Sequence, residues 1–300
     1  MHGPKHQTSA TIAFAVGAAG IAFYSMMDAV MKGMTLAMGV YNAMLWRMAA
    51  LLVLSGLVYL LSRPRRPSPA AMRVHAIRGA VTAVMALLFF WGLARIPMAQ
   101  AIALAYVAPL LSLFLAAVLL KERIGRTTIL ASLVACAGVG IIVVGQARAE
   151  LGEQALLGTL ATLASALCYA WNIILMRQQA LLAGPVEVTF FQAVFTGAAL
   201  LLGAPWLAAL PPDGQLGQIA LSAIFSMLAL VLLSWAYARA EASYLAPTEY
   251  TSFVWASLFG WLLFAEVPRL YTLAGAALIV SGCIWAARCR PAPDVEAGMP

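Results

Sequence analysis

Ten apolar runs follow one another along this sequence, most of them near the roughly 20 residues that an α-helix needs to cross a hydrocarbon layer about 30 Å thick. They lie at Thr11 to Met34, Tyr41 to Leu61, Ala76 to Leu93, Pro97 to Leu120, Thr127 to Gln146, Ala155 to Met176, Val188 to Leu210, Ile219 to Ala238, Ala242 to Ala265 and Leu270 to Ala287. Each is a solid block rather than a ten-residue alternation, so the spans are helices and not barrel strands. With 64% hydrophobic and 10% charged residues, a water-soluble fold could not bury this surface, because soluble domains carry roughly 25% charge. The chain is therefore expected to be an all-α integral membrane protein. The first run is too long for a cleaved signal segment.

The connecting segments are short and polar, and their charges orient the bundle. A cytoplasmic N-terminus places Lys5, Arg63, Arg65, Arg66, Arg73, Arg78, Lys121, Arg123, Arg126, Arg177, Arg239, Arg288 and Arg290 inside and leaves only Lys32, Arg95, Arg148 and Arg269 outside. That bias puts both termini in the cytoplasm of a cell whose inner (plasma) membrane holds the protein. The formal net charge of +7 is then loop charge obeying an insertion rule, not a nucleic-acid surface.

WGLARIPMAQ at 91 to 100 returns as WAYARAEASY at 235 to 244. At the same offset of 144 residues Arg95 meets Arg239, Tyr106 meets Tyr250, Glu122 meets Glu266, Thr128 meets Thr272 and Gly138 meets Gly282. One residue of slippage extends the match upstream, pairing Tyr24 with Tyr169, Lys32 with Arg177, Gly39 with Gly184 and Arg47 with Gln192. Two copies of five spans result, residues 11–147 and 154–288, with tails at 1–10 and 289–300. Five is odd, so the second copy enters the membrane upside down. Inverted repeats of this kind build many secondary transporters, with substrate bound near the midplane where the halves meet. Two equivalent halves can exchange conformations, which opens a shared pocket to either side in turn.

Each fourth span of a repeat ends in an apolar run closed by glutamate: VAPLLSLFLAAVLLKERIG at 107 to 125 and YTSFVWASLFGWLLFAEVP at 250 to 268. With ten helices in two repeats, the chain resembles the EamA-type branch of the drug/metabolite transporter superfamily over residues 11 to 288. The resemblance implies a basket of helices around a central cavity and export of amino acids, as in the aromatic amino acid exporters, or of other small metabolites. The family's proline thirteen residues before each glutamate is matched by Pro109, whereas the second copy has Phe253 there and Pro247 instead. That departure bears on the substrate rather than the fold.

Ionisable and aromatic residues inside the spans are the candidate site. Tyr24, Asp28 and Lys32 fall on one stripe of the first span, where charge is expensive and marks function or an internal pair. Asp28 and Lys32 either pair with each other or with Arg47, or the three meet the ammonium and carboxylate of a zwitterion. The sixth span repeats the stripe with Ser165, Tyr169 and Asn172, and the ninth presents Glu249, Tyr250 and Trp255 just after Pro247. Trp91 and Tyr106 complete a set of rings that suits apolar or aromatic substrates, although interfacial belts also account for tryptophans at helix ends. Arg95 and Arg239 each close a helix, where a cation complements the negative end of the dipole; with Lys32 and Arg47 they are the candidate gating residues. Ser132, Cys136 and Gly140 offer the fifth span a close-packing face, for a helix of the same chain or a second subunit, a monomer being the simplest unit.

No nucleotide loop, metal spacing or nucleophile motif occurs. The four cysteines form no CxxC. No cofactor, no ATP site and no enzymatic reaction are expected, and the partners are a small-molecule substrate and the lipid bilayer. A broad-specificity efflux carrier for drugs or toxic metabolites, or a facilitative channel-like pore, is the alternative to an amino-acid exporter.

Overall fold

A computed structural model describes residues 4–62, 67–108, 111, 115, 126–148, 152–237 and 242–288. Among them every regular element is an α-helix: α1 (Pro4–Leu61), α2 (Pro69–Leu93), α3 (Met98–Ala105), α4 (Arg126–Arg148), α5 (Glu153–Leu182), α6 (Pro185–Leu201), the single turn α7 (Ala204–Leu207), α8 (Leu216–Tyr237), α9 (Ala242–Phe264) and α10 (Leu270–Arg288). Ile12–Met38, Val40–Leu61, Pro69–Leu93, Glu153–Met176 and Leu216–Leu233 are long and apolar enough to cross a membrane, and Leu133–Gly145, Pro185–Leu201 and Leu270–Gly282 are shorter apolar helices. The expected fourth span is described only at its start, since most of 109–125 lies outside the described residues.

Local chemistry sets the boundaries. The first two spans run together as α1 and are divided only at Gly39, whose φ of 78° and ψ of 155° suit a residue without Cβ. α2 begins seven residues before the expected Ala76, because Ser68 caps it by accepting the Ala71 N–H at 3.1 Å and Pro69 supplies a preset φ in its first turn. The seventh span ends at Leu201 rather than Leu210: Gly203 and Pro205 interrupt it, and Pro205 has no N–H to continue the ladder.

The helices pair across the repeats. The first arm of α1 packs along α8, with Phe23 and Phe225 at 5.9 Å between ring centroids, and α2 packs along α5. These two pairs exchange under the repeat. The duplication maps Gly92 onto Ala236 and Gly158 onto Ala13; Gly92 and Gly158 cross closely, and Ala13 and Ala236 pack in the matching place. The second arm of α1 lies against α6, where Tyr59 stacks on Phe190 at 4.6 Å, and α4 lies against α10. Tyr106 and Tyr250, equivalent residues of the two copies, touch edge to face at 5.4 Å. Two equivalent positions can meet each other only on a two-fold axis, so the axis runs between these rings. The architecture is thus a ten-helix membrane bundle of two inverted five-helix repeats about a shared centre.

The small-residue face expected on the fifth span does not pack against another helix of the chain among the described residues. Cys136 is exposed and Gly140 has nothing within 4 Å of its would-be side chain; the side chain of Ser132 is not described. α4 instead presents Ala135, Gly138 and Ile142 to α10, and a Cβ on Gly138 would stand 2.6 Å from the Gly275 carbonyl oxygen.

Candidate functional site

Charged side chains sit in the interior of the bundle. Asp28 projects from the first arm of α1 into electrostatic reach of Arg47 on the second arm, and Tyr24 lies within reach of Asp28, Arg47 and Arg78. Asp28 and Arg47 do not form a contact ion pair; among the described residues Lys32 pairs with Glu266, and His75 meets Glu187. The Arg47 guanidinium is 7% exposed. Its Nη1 donates to Ser226 Oγ at 3.2 Å, its Nη2 to Met44 Sδ at 3.3 Å, and its plane lies 5.7 Å from the Phe90 ring. Its Nε is buried without a hydrogen-bond partner. A cation held this far from water by neutral contacts alone is costly.

Arg78 is buried on α2. Its Nε donates to Asn172 Oδ1 at 3.1 Å, which also accepts from Thr82 Oγ1 at 3.4 Å, and its Nη1 donates to Gln179 Oε1. Tyr169 is within electrostatic reach. Behind it, Gln179 Nε2 meets His75 Nδ1, and His75 Nε2 meets Glu187 Oε1 at 3.2 Å while the imidazole stacks on Phe191 at 4.9 Å. The chain Arg78–Gln179–His75–Glu187 therefore runs from the centre to one end of the bundle. Sequence reasoning misses it, because it counts Arg78 as loop charge. The overlooked signal was Ser68–Pro69, which starts the helix two turns earlier and carries both residues inside.

Lys32 is corrected as well. It pairs neither with Asp28 nor with Arg47 but with Glu266 and with the Ile96 carbonyl at 2.8 Å, its ammonium 5.2 Å from the Phe264 ring. Glu266 Oε2 accepts the Met98 N–H at 2.8 Å, so the acid satisfies the first turn of α3. Glu266 reaches that position because Ala265, at φ 54°, turns the chain and lets the Glu266 N–H bond back to Gly260 O at 3.0 Å. The end of the first span, the start of the fourth and the end of the ninth are stapled at one rim.

The other candidates divide between centre and periphery. The Tyr106 hydroxyl bonds Ser252 Oγ at 2.6 Å and the carbonyls of Glu249 and Tyr250 at 3.3 and 3.2 Å, which places Tyr106, Glu249 and Tyr250 together on the axis. Trp255 stacks on Phe259 at 6.1 Å, and its Nε1 is buried without a hydrogen-bond partner. Trp91 is not drawn into this group: the Arg95 guanidinium stands 3.4 Å from its ring, donates to the Trp91 carbonyl at 2.9 Å and reaches Gln154 at 3.1 Å. Arg239 and Glu122 lie outside the described residues.

The chain matches the EamA-like transporter family over residues 11–144 and again over 156–288. It belongs to that family. Relatives of this EamA-like transporter include the pseudopaline exporter CntI of Pseudomonas aeruginosa, 30% identical over 240 residues (78% of this chain, 82% of the relative). The riboflavin transporter of Rhizobium johnstonii is 31% identical over 285 residues (90% and 88%). A protein named "Probable terminal-alkyne amino-acid exporter" from Streptantibioticus cattleyicolor is 30% identical over 230 residues (73% and 74%). A solved crystal structure shares the fold with a TM-score of 0.58 at 20% identity, covering 92% of this chain and 97% of the other. This EamA-like protein is accordingly a multi-pass membrane transporter of small molecules.

Proposed function

We propose that the chain is a secondary transporter that exports amino acids, aromatic or other apolar ones favoured, and related small metabolites by alternating access across the inner membrane. One observation supports this most: Asp28 and Arg47 face one another in the bundle interior without closing an ion pair, and the buried Arg47 Nε has no hydrogen-bond partner. An ammonium and a carboxylate on one small molecule would complete both groups at once, at the place where leaving them incomplete is most expensive. Tyr24, Phe90 and the Tyr106–Tyr250 pair add ring faces for an apolar side chain. The amino-acid exporter among the relatives agrees with this reading, and the Lys and Arg bias favours cytoplasmic termini. On this reading residues 11–147 and 154–288 are the two moving halves, and the Lys32–Glu266 staple closes the outer rim.

Counterflow into liposomes, with a panel of labelled amino acids led by aromatic ones, tests the proposal. Saturable exchange accelerated by unlabelled substrate inside is expected. Flux that stays linear with concentration would mark a channel, and exchange of no amino acid would overturn the substrate assignment.

A further inference from the structure

The network behind Arg78 has an arithmetic of donors and acceptors that its members cannot all satisfy in two protonation states. A guanidinium only donates, so the Gln179 amide must turn its single oxygen toward Arg78 Nη1, as it does. That leaves the amide N–H to face His75 Nδ1, which must then be an acceptor. The imidazole therefore carries its hydrogen on Nε2 and donates it to Glu187. Neutral His75 and the Arg78–Gln179 hydrogen bond belong together.

Now let His75 gain a proton. The proton, delivered by a hydronium ion that leaves as water, ends on Nδ1, the ring nitrogen with an available lone pair. The imidazolium keeps Nε2–H on Glu187 and needs an acceptor at Nδ1. Gln179 can supply one only by turning its amide over, which presents NH₂ to Arg78, donor against donor. Arg78 keeps Asn172 through Nε and loses its partner at Nη1. The groups around the ring do not rescue the old arrangement. Phe191 on α6 only stacks, and the Tyr59 hydroxyl on α1 interacts electrostatically with Glu187. On α2 itself the charged residues are Arg73 and Arg78. Tyr24 and Tyr169 interact electrostatically with Arg78, and the freed Nη1 is left to a carboxylate arriving beside them.

We propose that Arg78 is a second carboxylate-binding residue of the central cavity, occupied by Gln179 at rest and released to substrate when His75 takes a proton. Linkage makes the coupling mutual: a carboxylate that draws Arg78 away frees Gln179 to turn and favours protonation of His75. The proposal rests on the transporter reading above but adds a residue, a ligand group and a direction, namely tighter carboxylate binding as the pH falls at the His75 end.

The full chain in liposomes, with labelled phenylalanine as probe and phenylalaninamide as its carboxylate-free counterpart, reads the coupling. In the wild type KM for phenylalanine should fall about tenfold from the alkaline to the acidic end of the profile, the worth of one hydrogen bond to a charged group, while phenylalaninamide shows no such change. His75→Gln should hold KM flat at the high-pH value, and Gln179→Leu should hold it flat at the low-pH value. Parallel pH profiles in all three proteins would overturn the proposal. Nitrogen-15 NMR of histidine in the full chain supplies a readout that needs no substrate. Neutral wild-type His75 is expected as the Nε2–H tautomer, held by Glu187; an Nδ1–H tautomer in the wild type would sink the switch. Should no amino acid exchange at all, the substrate reading fails and the tautomer still decides the switch.

Discussion

Arg47 and Lys32 are both buried cations on one helix, yet they do different work. Arg47 is held by a hydroxyl, a thioether and a ring, none of them anionic, which suits a group that exchanges partners. A planar fork can take a carboxylate through two N–H groups, and an ammonium cannot. Arg47→Lys is therefore expected to fold and to raise KM for carboxylate substrates at least about tenfold, as measured by counterflow; an unchanged KM would remove Arg47 from the site. Lys32, by contrast, has a full complement in Glu266 and the Ile96 carbonyl. Removing one partner strands the other, so Glu266→Leu should destabilise the protein by about 3–5 kcal/mol, whereas Lys32→Met combined with Glu266→Leu should recover much of that loss. Thermal unfolding in detergent of the two singles and the double completes the cycle, and additive losses would show that the two groups do not interact.

Among the elements, the turn after α9 carries the most specific local constraint. Ala265 occupies the left-handed region at φ 54°, where a Cβ costs roughly 1–2 kcal/mol, and it does so because that turn aims Glu266 at Lys32 and Met98. Ala265→Gly should raise stability by about 0.5–1 kcal/mol, seen as a higher midpoint of thermal unfolding with transport unchanged; a lower midpoint would refute the strain. The start of α2 illustrates what patterning misses. Hydropathy alone begins this helix at Ala76, since Arg73, His75 and Arg78 dilute the apolar signal. The cap and proline at Ser68–Pro69 are local and were legible; the burial of His75 and Arg78 was not, because it depends on Asn172, Gln179 and Glu187 arriving from α5 and α6.

On the scale of the whole molecule, duplication organises everything. Each helix of one repeat leans on a helix of the other, and the two central tyrosines mark the axis. Opposite polarity of the halves makes a topological prediction: single cysteines at Arg95 and at Arg239, in a background lacking the native cysteines, should be labelled from opposite sides of the membrane. Labelling of both from the same side would break the inverted scheme.

The sequence by itself determined that the chain lives in a membrane, that it is helical and that it is built twice, because hydropathy, run length and internal repetition are properties of the chain read in order. It also pointed to Tyr24, Asp28, Asn172, Tyr106 and Tyr250, since polar groups inside apolar runs announce themselves. Only the tertiary structure decided who meets whom. Lys32 passed over Asp28, four residues away, for Glu266, 234 residues away, and Arg78 moved from a charged loop to the centre. Partners in a low-dielectric interior are chosen by which helices are packed side by side, and that choice is made by the bundle as a whole rather than by neighbours along the chain.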